Sequence, residues 1–314
     1  MKYGLVCISE LLRDKEPELK FKTMTRTQFR KGDREKSILE LSKRISHNLV
    51  VTAETIKHCA EHRIRHYRLS SSIFPLLTDK TLELEIENFP NYDSMMQKMI
   101  EIGRLAKSLN ISTSVHPDQF VVLGSASDDV CMKSVAELRF HAWMLDSMGF
   151  PDDYTCPINI HASLSNFESP EKFIQKFVTN FFQCGMSVRN RLVIENEHHG
   201  FWNCNNLFEY FQRYTRQVYS FGFPLTFDNL HDQANPSFDG QGQKIPMATQ
   251  FLKFYKTWPV NPVFHWSEAK AGTEHNHAAK LSSPPTDFGV DITWEIEVKD
   301  KDKGFIQYVK SSAN

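Results

Sequence analysis

The sequence has no Cys-x-x-Cys pair; its six cysteines stand apart at positions 7, 59, 131, 156, 184 and 204. In a chain of 314 residues, thiols scattered in this way suit a reducing compartment and exclude a disulfide framework. No apolar run is long enough to cross a bilayer, and the N-terminal stretch MKYGLVCISELLRDKE turns charged too soon for a secretion signal. A cytoplasmic or nucleoid-associated protein with no membrane partner is therefore expected, and the Asn-Ile-Ser triplet at 110–112 would go unglycosylated. Neither sign of charge is in excess: 37 Lys and Arg face 38 Asp and Glu. A general basic field is absent, so any contact with nucleic acid must rest on a local patch. There is no internal repeat and no low-complexity tract. Neither glycine fingerprint of a phosphate-binding turn, G-x-G-x-x-G or G-x-x-x-x-G-K-[ST], follows an apolar run. The stretch ENEHHGFW lacks the second histidine of H-E-x-x-H, and the serines of RLSSSIFP lack a G-x-S-x-G elbow, which sets nucleophilic serine chemistry aside.

What is present is a regular alternation. Hydrophobic residues make up 40% and charged residues 24% of the chain, the balance of a globular protein with ample core. The length suits two ordinary domains or one large α/β domain. Short apolar runs rich in β-branched and aromatic residues recur at 3–8, 64–70, 111–116, 157–162, 192–196, 224–229, 262–266 and 292–298. Between most of them lie segments of helical period, at 34–62, 92–110, 129–149, 169–186, 205–222 and 246–258. The first places Ile38, Leu41, Ile45, Leu49 and Ile56 on one face. SPEKF at 169–173 carries a serine cap followed by proline and an acid in the first turn. Helix ends fall at Asn110, Gly149 and Gly222. The connection from the seventh to the eighth run is long, polar and rich in Gly, Ser and Pro, as a loop would be. Eight strands alternating with helices predict a single-domain (β/α)8 TIM barrel over residues 1–305, with 306–314 as a tail. A doubly wound sheet is the alternative.

Polar residues cluster at the ends of these strands. The third ends at His116, the fourth at His161 and the fifth at Glu195. The sixth ends at Asp228, with His231 three residues on, and the seventh at His265. His275 and His277 lie in the loop beyond, and the eighth strand carries Glu297. Any one alone is ordinary, since a histidine at a strand end is commonly a satisfied structural residue. In a barrel, however, all C-terminal strand ends share one mouth. Buried Asp and Glu are costly unless paired or bound to metal. A mixture of imidazoles and carboxylates suits Zn, Mn or Fe better than Mg or Ca. There are too many for one tetrahedral ion, so two or three divalent ions with a bridging carboxylate are expected. Such clusters activate water and clamp both oxygens of a phosphoryl displacement. Two further features fit nucleic acid: the segment 20–36, with seven Lys and Arg against Asp33 and Glu35, and the amide–aromatic pair Gln119–Phe120 just after His116.

The runs FKTMTRTQF, YRLSSSIFPL, HPDQFVVLGS, INIHAS, LVIENE, FDNLHDQANP, FHWSEA, HNHA and WEIEVKDKDK occur in this order. Together they resemble the UV damage endonucleases, TIM barrels related to bacterial endonuclease IV, over about residues 3–305. The resemblance implies a DNA repair enzyme, usually loaded with Mn2+ (Zn2+, Mg2+ and Co2+ being alternatives) and acting as a monomer on damaged double-stranded DNA. It would nick immediately 5′ of cyclobutane pyrimidine dimers, 6-4 photoproducts and abasic sites and leave a 3′-hydroxyl. The positions that match its metal ligands are His116, His161, Glu195, Asp228, His231, His265, His277 and Glu297, with Glu195 as the bridge. His277 is preferred to His275 because the family has alanine after its loop histidine. Glu297 is preferred to Glu295 from the E-x-K-x-K spacing with Lys299 and Lys301. Glu195, His231 and Lys299 are implied to be catalytic, Gln119 and Phe120 to probe the lesion, and Lys22, Arg26, Arg30, Lys299 and Lys301 to bind DNA. Three departures stand out: Val263 replaces a lysine that some members carboxylate, Leu5 and Ser9 replace Tyr and Asn, and Phe120 replaces Tyr. A metal-dependent sugar isomerase on the same barrel and a non-catalytic damage-binding protein are the alternatives.

Overall fold

The computed structural model describes residues 1–162, 167–273 and 275–311. Eight parallel strands form one sheet: β1 (Lys2–Val6), β2 (His66–Leu69), β3 (Ser112–Val115), β4 (Ile158–His161), β5 (Leu192–Glu195), β6 (Leu225–Thr226), β7 (Val263–Trp266) and β8 (Thr293–Ile296). Each overlaps the apolar run that predicted it. The hydrogen-bonded order runs β6-β5-β4-β3-β2-β1-β8-β7. The two ends of that series meet where Asp228 bridges to His265, with the His265 amide donating to the Phe227 carbonyl at 2.9 Å. The result is a nearly closed barrel, and the TIM-barrel expectation stands.

Helices surround it: α1 (Glu10–Lys15), α2 (Arg26–Lys31), α3 (Arg34–Glu61), α4 (Tyr92–Ser108), α5 (Asp128–Met148), α6 (Pro170–Gln183), α7 (Met186–Arg189), α8 (Cys204–Phe208), α9 (Thr215–Tyr219), α10 (Asn229–Ala234), α11 (Met247–Tyr255) and α12 (Ile306–Ser311). The predicted face of α3 packs inward, with Leu41, Ile45, Leu49 and Ile56 buried, although Ile38 is only half-buried. Ser169 caps α6 as its sequence suggests, accepting from the Lys172 amide at 3.2 Å. Its buried Phe173, Ile174, Phe177 and Phe181 contribute roughly 1.5–3 kcal/mol each. A Cβ on Gly103 would sit 1.7 Å from the Met148 carbonyl oxygen, so glycine is what lets α4 and α5 approach.

The predicted helix over 205–222 differs from expectation. A π-helical segment, Glu209–Tyr214, joins α8 to α9, and the helix ends at Tyr219, with Ser220 taking the left-handed turn at φ 67°. Gly222 serves another purpose: a side chain there would press on Gln212 and Arg216. Periodicity also passed over the short helices α1, α2 and α10, which lie in βα connections. Residues 306–311, set apart as a tail, form α12, whose Val309 is buried in the core. Among the described residues of 267–292 there is no helix. The βα connections open on the C-terminal mouth of the barrel.

Candidate metal centre

Strand register decides which polar residues meet. In the β4–β5 ladder His161 lies opposite Glu195, and in the β7–β8 ladder His265 lies opposite Glu295. The Asp228–His265 bridge sets the carboxylate that follows β6 beside the same histidine. Asp228 caps α10 through Oδ1, which accepts from the His231 amide at 2.7 Å. That cap fixes both the carboxylate and the helix that presents His231.

Glu195 is the hub and is 1% exposed. Its Oε2 lies 3.0 Å from His116 Nε2 and 3.9 Å from His161 Nε2, while Oε1 lies 3.2 Å from His231 Nδ1 and 3.0 Å from His265 Nδ1. Its two oxygens thus face two different pairs of imidazoles, as a bridging carboxylate would. Asn159 Nδ2 donates to Oε2 at 2.5 Å and holds the carboxylate in place. Main-chain carbonyls orient two of the rings: Pro117 O is 2.9 Å from His116 Nδ1, and Asn196 O is 2.8 Å from His231 Nδ1. A carbonyl only accepts, so Nδ1 carries hydrogen in both and the Nε2 lone pair is left for a cation.

The electrostatics describe a cluster of negative charge that draws in protons. Burial opposes ionisation of Glu195, but His265 and His161 outweigh it and hold the carboxyl well below its usual range. Burial pulls His231 down, yet Asp228 and Glu195 push it up to about 10. Burial likewise opposes the charge on His265, and Glu195 raises it to about 10. For His116 burial prevails and the ring is lowered.

The donor set fits a divalent ion. Asp228 Oδ2 and His265 Nδ1 are buried, have no hydrogen-bond partner, and lie 3.9 Å apart. His265 Nδ1 is close to Glu195 Oε1 but misaligned for a hydrogen bond. Leaving two buried polar atoms unpaired costs about 1–3 kcal/mol each, and one shared cation would satisfy both. Ligand atoms converge in three groupings around the mouth, His116–His161–Glu195, Glu195–Asp228–His265 and His265–Glu295–Glu297. Nitrogen and oxygen together suit Mn, Fe or Zn.

A pH dependence follows. Imidazole ligates only when deprotonated, so metal must expel the protons that His231 and His265 hold up to about pH 10. Affinity for Mn2+ should rise with pH from 6.5 to 8.5, by up to about a hundredfold per unit if two protons leave. Calorimetry in buffers of different ionisation enthalpy measures the protons released; none released would remove these two histidines from the ligand set.

The structure brings His116, His161, Glu195, His231, His277 and Glu297 to the wall of one cavity of about 770 Å³, with Asp228 and His265 buried behind. His277 Nε2 lies 3.8 Å from Glu297 Oε2, whereas His275 stacks on His198. Gln119 and Phe120 line the same cavity. Phe120 is 77% exposed, which excludes a core role for it. Asp118 shapes the turn beneath the pair, its carboxylate accepting from the Phe120 amide at 3.2 Å and its carbonyl from Val121 at 3.0 Å. Lys299 is exposed, and neither it nor Lys301 lines the cavity. Lys22, Arg26 and Arg30 are exposed on the β1 connection, with Arg26 paired to Asp79 at 2.5 Å and Arg30 bonded to Thr81.

Sequence reasoning assigned no role to Arg68, Glu197 or His198 and set Glu295 aside in favour of Glu297. Arg68, Glu197 and His198 line the cavity, and Glu295 lies buried beside it. Burial, followed by the neighbouring His231, lowers His198 to about 4. The available signal for Arg68 and Glu295 was a charged residue flanked on both sides by apolar ones, Tyr67 and Leu69 in one run and Trp294 and Ile296 in the other.

Fold and site together define a TIM barrel with a cluster of histidines and carboxylates, able to hold metal, at its C-terminal mouth. The chain belongs to the UV-endonuclease UvdE family, whose model matches residues 1–314. It is 28% identical over 307 residues to a UV DNA damage endonuclease of Nostoc sp., covering 95% of this chain and 86% of that one. A crystal structure of SacUVDE superposes with a TM-score of 0.79 at 26% identity, covering 100% of this chain and 98% of the other. Endonuclease IV from Thermus thermophilus shares the fold, with a TM-score of 0.56 at 12% identity over 99% of this chain and 98% of its own.

Proposed function

We propose that this protein is a DNA repair endonuclease that hydrolyses the phosphodiester immediately 5′ of UV photoproducts and abasic sites and leaves a 3′-hydroxyl. The observation that carries this reading is a buried carboxylate facing four imidazoles, set in an open cavity whose wall presents an exposed aromatic ring. Two or three divalent ions, most readily Mn2+, would be held by His116, His161, Glu195, Asp228, His231, His265, His277 and Glu297. When bound, they supply a more acidic water and neutralise the charge that builds on the phosphate. Glu195 spans the two halves of the centre and fixes their separation. His231, oriented by the Asn196 carbonyl, would offer Nε2 to an ion at the cavity wall, beside the reacting phosphate. Asp228 holds His231 in place through the α10 cap. Gln119 and Phe120 fill the gap that an extruded lesion leaves in the duplex. Lys299, outside the cavity, contacts the DNA backbone with Lys301 and shapes the reaction through the position of the strand.

Incubating UV-irradiated plasmid with the Mn2+-loaded protein should convert it to nicked circles, while undamaged plasmid stays closed. Irradiated plasmid that remains closed would overturn the reading.

The basic β1 connection has its own test. Replacing Lys22, Arg26 and Arg30 together with alanine should weaken binding to damaged and undamaged DNA alike. The slope of log K against log salt should flatten by up to roughly 2–3. An unchanged slope would make this segment a solvated surface.

A further inference from the structure

Arg68 lies in β2, is 6% exposed and pairs in register with Val6 and Ser114. Its Nε and Nη2 bond Glu295 Oε2, its Nη1 meets Glu297 Oε1 at 2.5 Å, and its Nη2 stands 2.7 Å from His265 Nε2. Those three partners are the residues of the third ligand grouping. His265 therefore has two distinct edges. Nδ1 looks toward Glu195 and Asp228, while Nε2 looks toward Arg68 and toward Glu295 Oε2 at 3.1 Å. With the Nε2 hydrogen donated to the Glu295 carboxylate, the Nδ1 lone pair is open to a cation, and the guanidinium lies against the second edge.

We propose that Arg68 is a resident third cation of the centre: the chain binds two divalent ions around Glu195, and the guanidinium fills the position between His265, Glu295 and Glu297. This rests on the metal-centre reading above and narrows its count of ions. A guanidinium stays charged in a protein, and its planar fork engages two carboxylates at once, which an ammonium does less well. A divalent ion placed among the same three residues would lie against that fixed positive charge. Glu295 also belongs to a polar layer beneath the cavity, its Oε1 accepting from His66 Nε2 at 2.9 Å and from Ser114 Oγ. That layer holds the carboxylate on the arginine. Arg68 lines the cavity as well, so the same charge faces a phosphate drawn into it.

Elemental analysis and Mn2+ titration of the purified wild-type chain should count two ions, not three. Arg68→Met should open the third position and raise the count to three, while Arg68→Lys, which keeps a cation, should stay at two. Three ions in the wild-type chain overturn the inference, and so does a folded Arg68→Met variant that still binds two. Where Arg68→Met does not fold, the wild-type count decides alone. Three ions with nicking of irradiated DNA would leave the endonuclease reading intact. Two ions without nicking would count against that reading and not against Arg68. Fewer than two would overturn the metal centre and this inference with it.

Discussion

Glu195→Gln should lower nicking of UV-irradiated DNA by at least about 10³-fold, several kcal/mol of stabilisation at roughly 1.4 kcal/mol per decade. Amide and carboxylate have nearly the same shape, so the barrel should fold. The amide, however, brings no charge to a position flanked by His116 and His161 on one oxygen and His231 and His265 on the other. The variant should lose most of its bound metal, and its melting temperature should stop rising with added Mn2+. His231 and His265 should also lose much of their upward pKa shift, because Glu195 is among its causes. Histidine titration followed by NMR in the metal-free variant would register that change independently of activity. A Glu195→Gln protein that nicks within tenfold of wild type would remove this carboxylate from the centre.

Phe120→Ala should slow nicking of photoproducts by roughly 5–150-fold, the equivalent of one lost base–aromatic stack of about 1–3 kcal/mol. A lesion stacked in the duplex cannot reach the floor of the cavity and must be extruded, at a cost of a few kcal/mol. The ring of Phe120 stands exposed on a turn that Asp118 ties down, and that exposure has no use in the core. The loss should be smaller on abasic sites, where less must be unstacked. Phe120→Tyr should be close to neutral, since the ring alone does the stacking. Removing an exposed side chain should leave the melting temperature unchanged. A uniform loss on every substrate together with a lower melting temperature would show a structural role instead.

Much of this protein was legible along the chain. All eight strands were marked by largely apolar runs, because a barrel strand is covered by helices on one face and by the barrel interior on the other. The long helices showed in their period, and α6 in its Ser169–Pro170 start. The ligand candidates were legible for a related reason: a histidine or acid ending such a run is out of keeping with its neighbours. What escaped was whatever depends on contacts across the barrel. The short helices α1, α2 and α10 exist through their caps and packing rather than through an apolar period. Glu295 lies in β8 and Glu297 just past its end, with Ile296 between them, and only the fold shows that both reach Arg68, one from the buried layer and the other from the cavity wall. The choice between His275 and His277 turns on a loop whose course is set by the Ala269–His277 bridge. The sequence by itself determined the order of strands and helices and the kinds of atom gathered at the mouth, since both follow from local hydrophobicity and residue chemistry. The tertiary structure alone decided which of those atoms meet, because strand register, barrel closure and the α10 cap together carry His116, His161, Asp228, His231 and His265 to a single carboxylate, Glu195, across a barrel that no local pattern can measure.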